Sequence, residues 1–174
     1  MPLIKDGKVV EDGWVALDDE AAPPNAGDVI VSYARVLDDA STLLQRDGRL
    51  GVRVSSSDEI EALVPHLPSL HLVALEFPKY RDGRAYSSAR LLRERYGFEG
   101  ELRAVGDVLR DQLFFMVRCG FDAFEIDHAD AAKAFAEAVN EFSAVYQPTG
   151  DGRRHVWAAR SESSSGARTQ VAAE

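Results

Sequence analysis

Lys79, Arg81 and Arg84 share one short loop, directly after the apolar run Leu70–Phe77 and directly before a stretch of helical periodicity. Three cations between a strand and a helix suit a small oxyanion, because helix-terminal N–H groups and guanidinium forks both favour negative charge. Ser87 and Ser88 add hydroxyl donors in the first turn of that helix. In the competing reading the cations are solvated, or pair with Asp82, Glu94 and the acidic remainder of the chain. The loop is not a phosphate-cradling P-loop, since the Gly-rich spacing and the Lys-Ser/Thr pair are missing.

Arg103 lies in the next strand, Glu101–Val105, and Asp107, Asp111 and Gln112 open the helix after it. Asp107 is expected as the N-cap. Asp111 and Gln112 either reach a ligand from the first turn or orient Arg103 or Arg84. Four successive strands carry a charge one or two positions before their last: Arg53, Glu76, Arg103 and Glu125, with alternating sign. Strand side chains alternate between faces, so matched depth would set all four on one face. There they form a layer of ion pairs or reach the solvent edge; alternatively, Arg103 and Glu76 floor a pocket. The anion-contact candidates are therefore Lys79, Arg81, Arg84 and Arg103, with Glu76, Asp107, Asp111 and Gln112 in support.

Other chemistries find little footing. No Ser/His/Asp or Cys/His constellation presents itself, and His66, His71, His128 and His155 share no metal-ligand spacing. His128 follows a strand end, where a surface position at a helix start competes with a site role. Cys119 is the single cysteine, too few for a disulfide or for a metal or iron–sulfur site held by this chain's cysteines. It is expected as a buried, inert thiol. No metal and no cofactor are expected. Lys plus Arg number 20 against 29 Asp plus Glu, a net charge of −9. That balance disfavours nucleic acid and anionic membrane as partners. With no long apolar run and no signal-peptide pattern, a soluble cytoplasmic protein is expected.

The elements that must position these residues are legible from period and punctuation. Leu3-Ile4 and Val9-Val10 flank Lys5-Asp6-Gly7-Lys8, a hairpin pattern. Asp12-Gly13 precedes a short strand, Trp14–Leu17. Residues 1–24 read as a hairpin flap and linker covering an end or edge of the body. Residues 25–149 read as one α/β domain, and 150–174 as a flexible tail rich in Arg, Ser, Gly and Ala. Within the body, strands are expected at Asp28–Tyr33, Leu50–Val54, Leu70–Phe77, Glu101–Val105 and Phe121–Ile126. Helices are expected at Ser41–Arg46 (capped by Asp38 or Asp39), at Ile60–Val64 behind a Ser56/Glu59 capping box, and along the Ala85–Tyr96 stripe. Two more follow at Val108–Arg118 and about Ala129–Tyr146. Pro65 and Pro68 should limit the second helix to about two turns. Strand–helix alternation of this length argues for βαβ units and a mainly parallel sheet with right-handed crossovers. It is either open or curled into a partial TIM-barrel-like arc.

The segments FPKYRDGRAYSSARLLRERYG and GELRAVGDVLRDQLFFMVRCGFDAF closely resemble the bacterial family catalogued as domain of unknown function 934. The likeness covers roughly Asp28 to Gln147, with Asp82-Gly83-Arg84 and Gly100-Glu101-Leu102-Arg103-Ala104 matching its signature. The resemblance implies a gene encoded beside assimilatory sulfite reductase, and the family label "probable oxidoreductase" of sulfite reduction. It carries no catalytic residues. No dinucleotide fingerprint accompanies the oxidoreductase label here. The expected role is an accessory protein of assimilatory sulfite reduction, binding a small sulfur oxyanion or docking on sulfite reductase. The alternative is a stand-alone enzyme acting on a small anionic substrate at the strand carboxyl ends, with Asp107 or Glu76 moving the proton. A weaker option is a redox protein that recruits a flavin.

Overall fold

Asp6 and Gly7 both adopt positive φ (52° and 74°) and fold Leu3–Lys5 (β1) back on Lys8–Val10 (β2). The computed structural model to which these two strands belong describes residues 1–149, 152–153, 155–158 and 160. Six more strands follow: Val15–Ala16 (β3), Val29–Ser32 (β4), Leu50–Val54 (β5), Leu72–Phe77 (β6), Glu101–Gly106 (β7) and Ala123–Glu125 (β8). They form one sheet ordered β2-β1-β8-β7-β6-β5-β4-β3. From β3 to β8 the neighbours are parallel and in chain order, and β1 adds to β8 antiparallel. The sheet is the mainly parallel, curled open arc of the α/β expectation, a half-barrel.

The curl follows from chain length. β2 and β3 stand at opposite edges, yet only Glu11–Trp14 separates them in sequence. Eight strands at the usual ~4.8 Å spacing would lay flat over roughly 34 Å. The five Cα steps from Val10 to Val15 reach about 18 Å at most. The edges must therefore approach each other, with Glu11–Trp14 as a strap across the opening.

Alternation then assigns the faces. Val29, Val31, Val52, Val73, Leu75, Phe77, Leu102, Ala104 and Phe124 point to the helices and share the main core with them. That side carries Tyr33–Leu43 (α1), a 3₁₀ helix at Ile60–Ser69, Arg84–Arg90 (α2), Leu113–Cys119 (α3) and Ala131–Val139 (α4). The concave side holds a smaller cluster, Leu72, Ala74 and Val105, against Trp14 and Ile30.

Several helices depart from the sequence expectation. α1 begins straight after β4, capped by the Ser32 hydroxyl accepting from Arg35 N–H, and Asp39 is a kink (φ −133°, ψ 26°) rather than a cap. The stretch through Pro65 and Pro68 runs on as a 3₁₀ helix with no side-chain cap. Ser56 does not form a capping box; its hydroxyl is used by Asp82 and Arg84. α2 widens into a π turn at Leu91–Arg95 before Gly97, at φ 63°. The helix expected from Val108 is a 3₁₀ turn at Arg110–Gln112 followed by α3, and Leu109 is exposed. α4 stops at Val139, packs through Ala131, Ala134 and Ala138, and leaves Phe142 exposed. Most of the expected tail, 150–174, lies outside the described residues.

Candidate functional site at the strand carboxyl ends

Arg53, Glu76, Arg103 and Glu125 all project from the concave face. Pairing aligns Arg53 with Ala74 and Ala74 with Arg103, so the two arginines share one row across the sheet. Glu76 and Glu125 each lie two residues beyond that row, towards the carboxyl ends. Each arginine meets the glutamate on its neighbouring strand: Arg53 Nη2 donates to Glu76 Oε1 at 2.9 Å, and Arg103 Nη1 to Glu125 Oε1 at 3.4 Å.

Arg103 is the deepest of them, 1% exposed. Its guanidinium has five N–H groups; it donates four hydrogen bonds, and every nitrogen meets a carboxylate oxygen. Nε and Nη2 meet Glu101 Oε1, both at 2.8 Å. Nη1 and Nη2 grip the two oxygens of Asp12 at 2.7 and 3.2 Å. Glu125 takes the last. Burial works against the charge, but the hydrogen bonds that Arg103 donates to Asp12 and Glu101, with their negative charges, outweigh it and hold the Arg103 pKa above its usual value. Lys5 Nζ neutralises the other oxygen of Glu101 at 2.7 Å. Asp12 arrives on the strap, beside a half-buried Trp14 over which Arg49 stacks at 4.9 Å. The sequence reading saw Asp12-Gly13 only as a turn; it offers no local signal for a partner 91 residues away.

Arg84 has a different set of partners. Asp82 Oδ1 accepts from Arg84 N–H and Nε, at 3.2 and 2.9 Å, and Oδ2 accepts from Nη2 at 2.6 Å. Ser56 Oγ donates to Asp82 Oδ2 at 2.8 Å and accepts from Arg84 Nη2 at 2.9 Å. These bonds hold the Asp82 carboxyl well below the usual aspartate range. An internal carboxylate thus occupies the start of α2, and Arg84 and Arg103 share no partner.

Lys79 and Arg81 are exposed on the same loop. Arg81 stacks on Tyr80 at 5.2 Å and donates to its hydroxyl at 2.6 Å. Neither has a carboxylate partner among the described residues. The loop beneath them is braced from β7. Asp107 Oδ2 accepts from Tyr80 N–H at 2.8 Å, and Gln112 Nε2 donates to Tyr80 C=O at 2.8 Å. Asp107 is therefore a loop brace and not the helix cap expected. The 3₁₀ turn is closed instead by Gln112 Oε1, which accepts from Leu109 N–H. Gly106, at φ 91°, lets the strand end pass Phe77; a Cβ there would meet Phe77 O at 2.5 Å. Asp111 is exposed and, with burial and Cys119 ahead of it, contributes to raising the Tyr86 phenol to about 12. Burial also pushes the Cys119 thiol up, away from thiolate chemistry. His128 is exposed before α4, its Nδ1 accepting from Asp130 N–H.

A cleft of about 270 Å³ opens where the carboxyl ends of β4, β5 and β6 meet. Arg53, Glu76, Ser55, Asp58, Tyr33 and Asp19 line it. Of these, sequence reasoning put only Glu76 in the candidate set and left Arg53 in the charge row. Its signal was position: the penultimate residue of a strand, pointing to the concave side.

Comparison with family models matches residues 51–157, more than half of the chain, to a family described as bacterial protein of unknown function (DUF934). No curated protein matches the chain.

Proposed function

We propose that this protein, which belongs to the DUF934 family, is a cytoplasmic accessory protein of assimilatory sulfite reduction. In this reading it docks on sulfite reductase and presents Lys79 and Arg81 to a small sulfur oxyanion at the contact. The observation that carries the reading is the Lys79–Arg81 loop: two exposed cations without carboxylate partners among the described residues, held from below by Asp107 and Gln112. The link to sulfite comes from the family resemblance.

Magnitudes favour docking over free anion capture. Exposed charge contacts contribute up to about 1 kcal/mol each, whereas even millimolar affinity needs about 4 kcal/mol. Two such cations fall short alone, and a partner surface that removes water would supply the remainder. No helix among the described residues is long and apolar enough to cross a membrane, which agrees with a partner in solution.

The test is binding of the purified chain to purified sulfite reductase by sedimentation velocity, with and without sulfite. A complex strengthened by sulfite and weakened in Lys79→Glu/Arg81→Glu is expected. No complex under either condition would sink the reading. The second reading is a stand-alone enzyme acting on a small anionic substrate at the strand carboxyl ends, the position at which open α/β sheets bind their ligands. It requires turnover without the reductase, lost on Glu76→Gln.

A further inference from the structure

The cleft beside Arg53 carries charges of both signs facing one small volume. Arg53 uses only Nη2 on Glu76; its Nε and Nη1 have no protein partner among the described residues, and its side chain is 51% exposed. Glu76 keeps Oε2 free of partners among the described residues. Asp58 uses Oδ2 to accept from Ser55 N–H at 2.7 Å, and Oδ1 has no partner among the described residues. Asp19 adds a third carboxylate at the rim.

The net charge of the lining decides what fits. One guanidinium against Asp19, Asp58 and Glu76 gives 1 − 3 = −2. A bare anion would meet Arg53 but be repelled by two unneutralised carboxylates. A bare amine would leave the open edge of Arg53 unused. A molecule carrying both charges a few bonds apart satisfies both, and about 270 Å³ admits an amino acid but not a nucleotide or a peptide. Arg prefers a planar or trigonal oxyanion through its fork, and carboxylates prefer an ammonium donor.

We propose that this cleft binds a small zwitterion of the amino acid class, its acidic group accepting from the Arg53 N–H groups that Glu76 leaves open and its ammonium group on Asp58 and Glu76. The acidic group is a carboxylate or a sulfonate, since the fork accepts either. The site is made of residues other than Lys79 and Arg81 and does not depend on the reductase.

Calorimetric titration of the full chain with serine and with taurine tests it, with acetate and ethylamine as single-charge controls. Binding of at least one zwitterion, with both controls inert, is expected. Arg53→Gln should weaken it roughly tenfold or more, the effect of losing a charge-assisted pair. Asp58→Asn should weaken it as well, while Lys79→Glu/Arg81→Glu should leave it unchanged. Circular dichroism of each variant establishes that it folds. Equal binding of ethylamine, or no heat with either zwitterion, overturns the proposal.

Discussion

Asp12, on the strap between the two sheet edges, clamps both terminal nitrogens of Arg103 in the middle of β7. The pair joins the opening of the half-barrel to its floor. Removing Arg103 would leave Glu101, whose side chain is only 8% exposed, with Lys5 as its one cation and beside two further carboxylates. Breaking one side of such a buried pair costs about 3–5 kcal/mol. Arg103→Ala should lose stability of that order in urea titration. Arg103→Met combined with Glu101→Gln and Asp12→Asn should recover a large part, because the uncompensated charges go with it.

Acid below the ordinary aspartate range should weaken the strap. Burial raises the Asp12 pKa, but the Arg103 and Trp14 N–H hydrogen bonds lower it by more, so the native value lies below the ordinary one. Between the two values the unfolded chain binds the proton and the native one does not. The contribution is therefore complete above about pH 4, the ordinary aspartate range, and is lost as pH falls through the native value. In a Trp157→Phe background, Trp14 fluorescence followed in urea as pH falls below about 4 should show this loss of stability. Asp12→Asn should remove that part of the pH dependence.

Loop bracing by Asp107 and Gln112 should be separable from global stability. Each gives Tyr80 one backbone hydrogen bond, a contribution of about 1 kcal/mol. In Asp107→Ala, the Tyr80 amide should exchange roughly five-fold faster or more, the factor for about 1 kcal/mol. Amides of β6, such as Leu75, should hold their protection.

Two glycines at positive φ should respond differently to alanine. At Gly97 (φ 63°) a Cβ meets nothing within 4 Å, so the cost is the left-handed penalty of about 1–2 kcal/mol. Gly106→Ala adds a 2.5 Å approach to Phe77 O and should cost clearly more. Thermal unfolding of the two variants side by side makes the comparison.

How much was legible depended on how local the cause was. The parallel run was visible because β4 to β8 are short apolar stretches between helical ones, in chain order. The common face of Arg53, Glu76, Arg103 and Glu125 followed from a period of two. Helix starts were less legible. Ser32 is a cap by type, yet it lies at the end of a β-branched run that masks it, whereas Asp107 looked like a cap and serves another loop. The partners of Arg103 and Arg84 were the least legible. Asp12 reaches Arg103 only because a four-residue strap crosses a curled sheet, which no window of sequence reports. Ser56 meets Asp82 only because their two loops sit side by side at the carboxyl ends of β5 and β6.

The same strap fixes an order of assembly. Leu3 pairs with Glu125, and β1 has no edge to join until β8 exists. During synthesis the amino-terminal segment emerges first but must wait for nearly the whole parallel run before it can dock. Contacts so distant in sequence slow folding, and meanwhile the edge of β8 stands uncovered. A chain beginning at Ala26 would keep that edge open permanently and should self-associate through it.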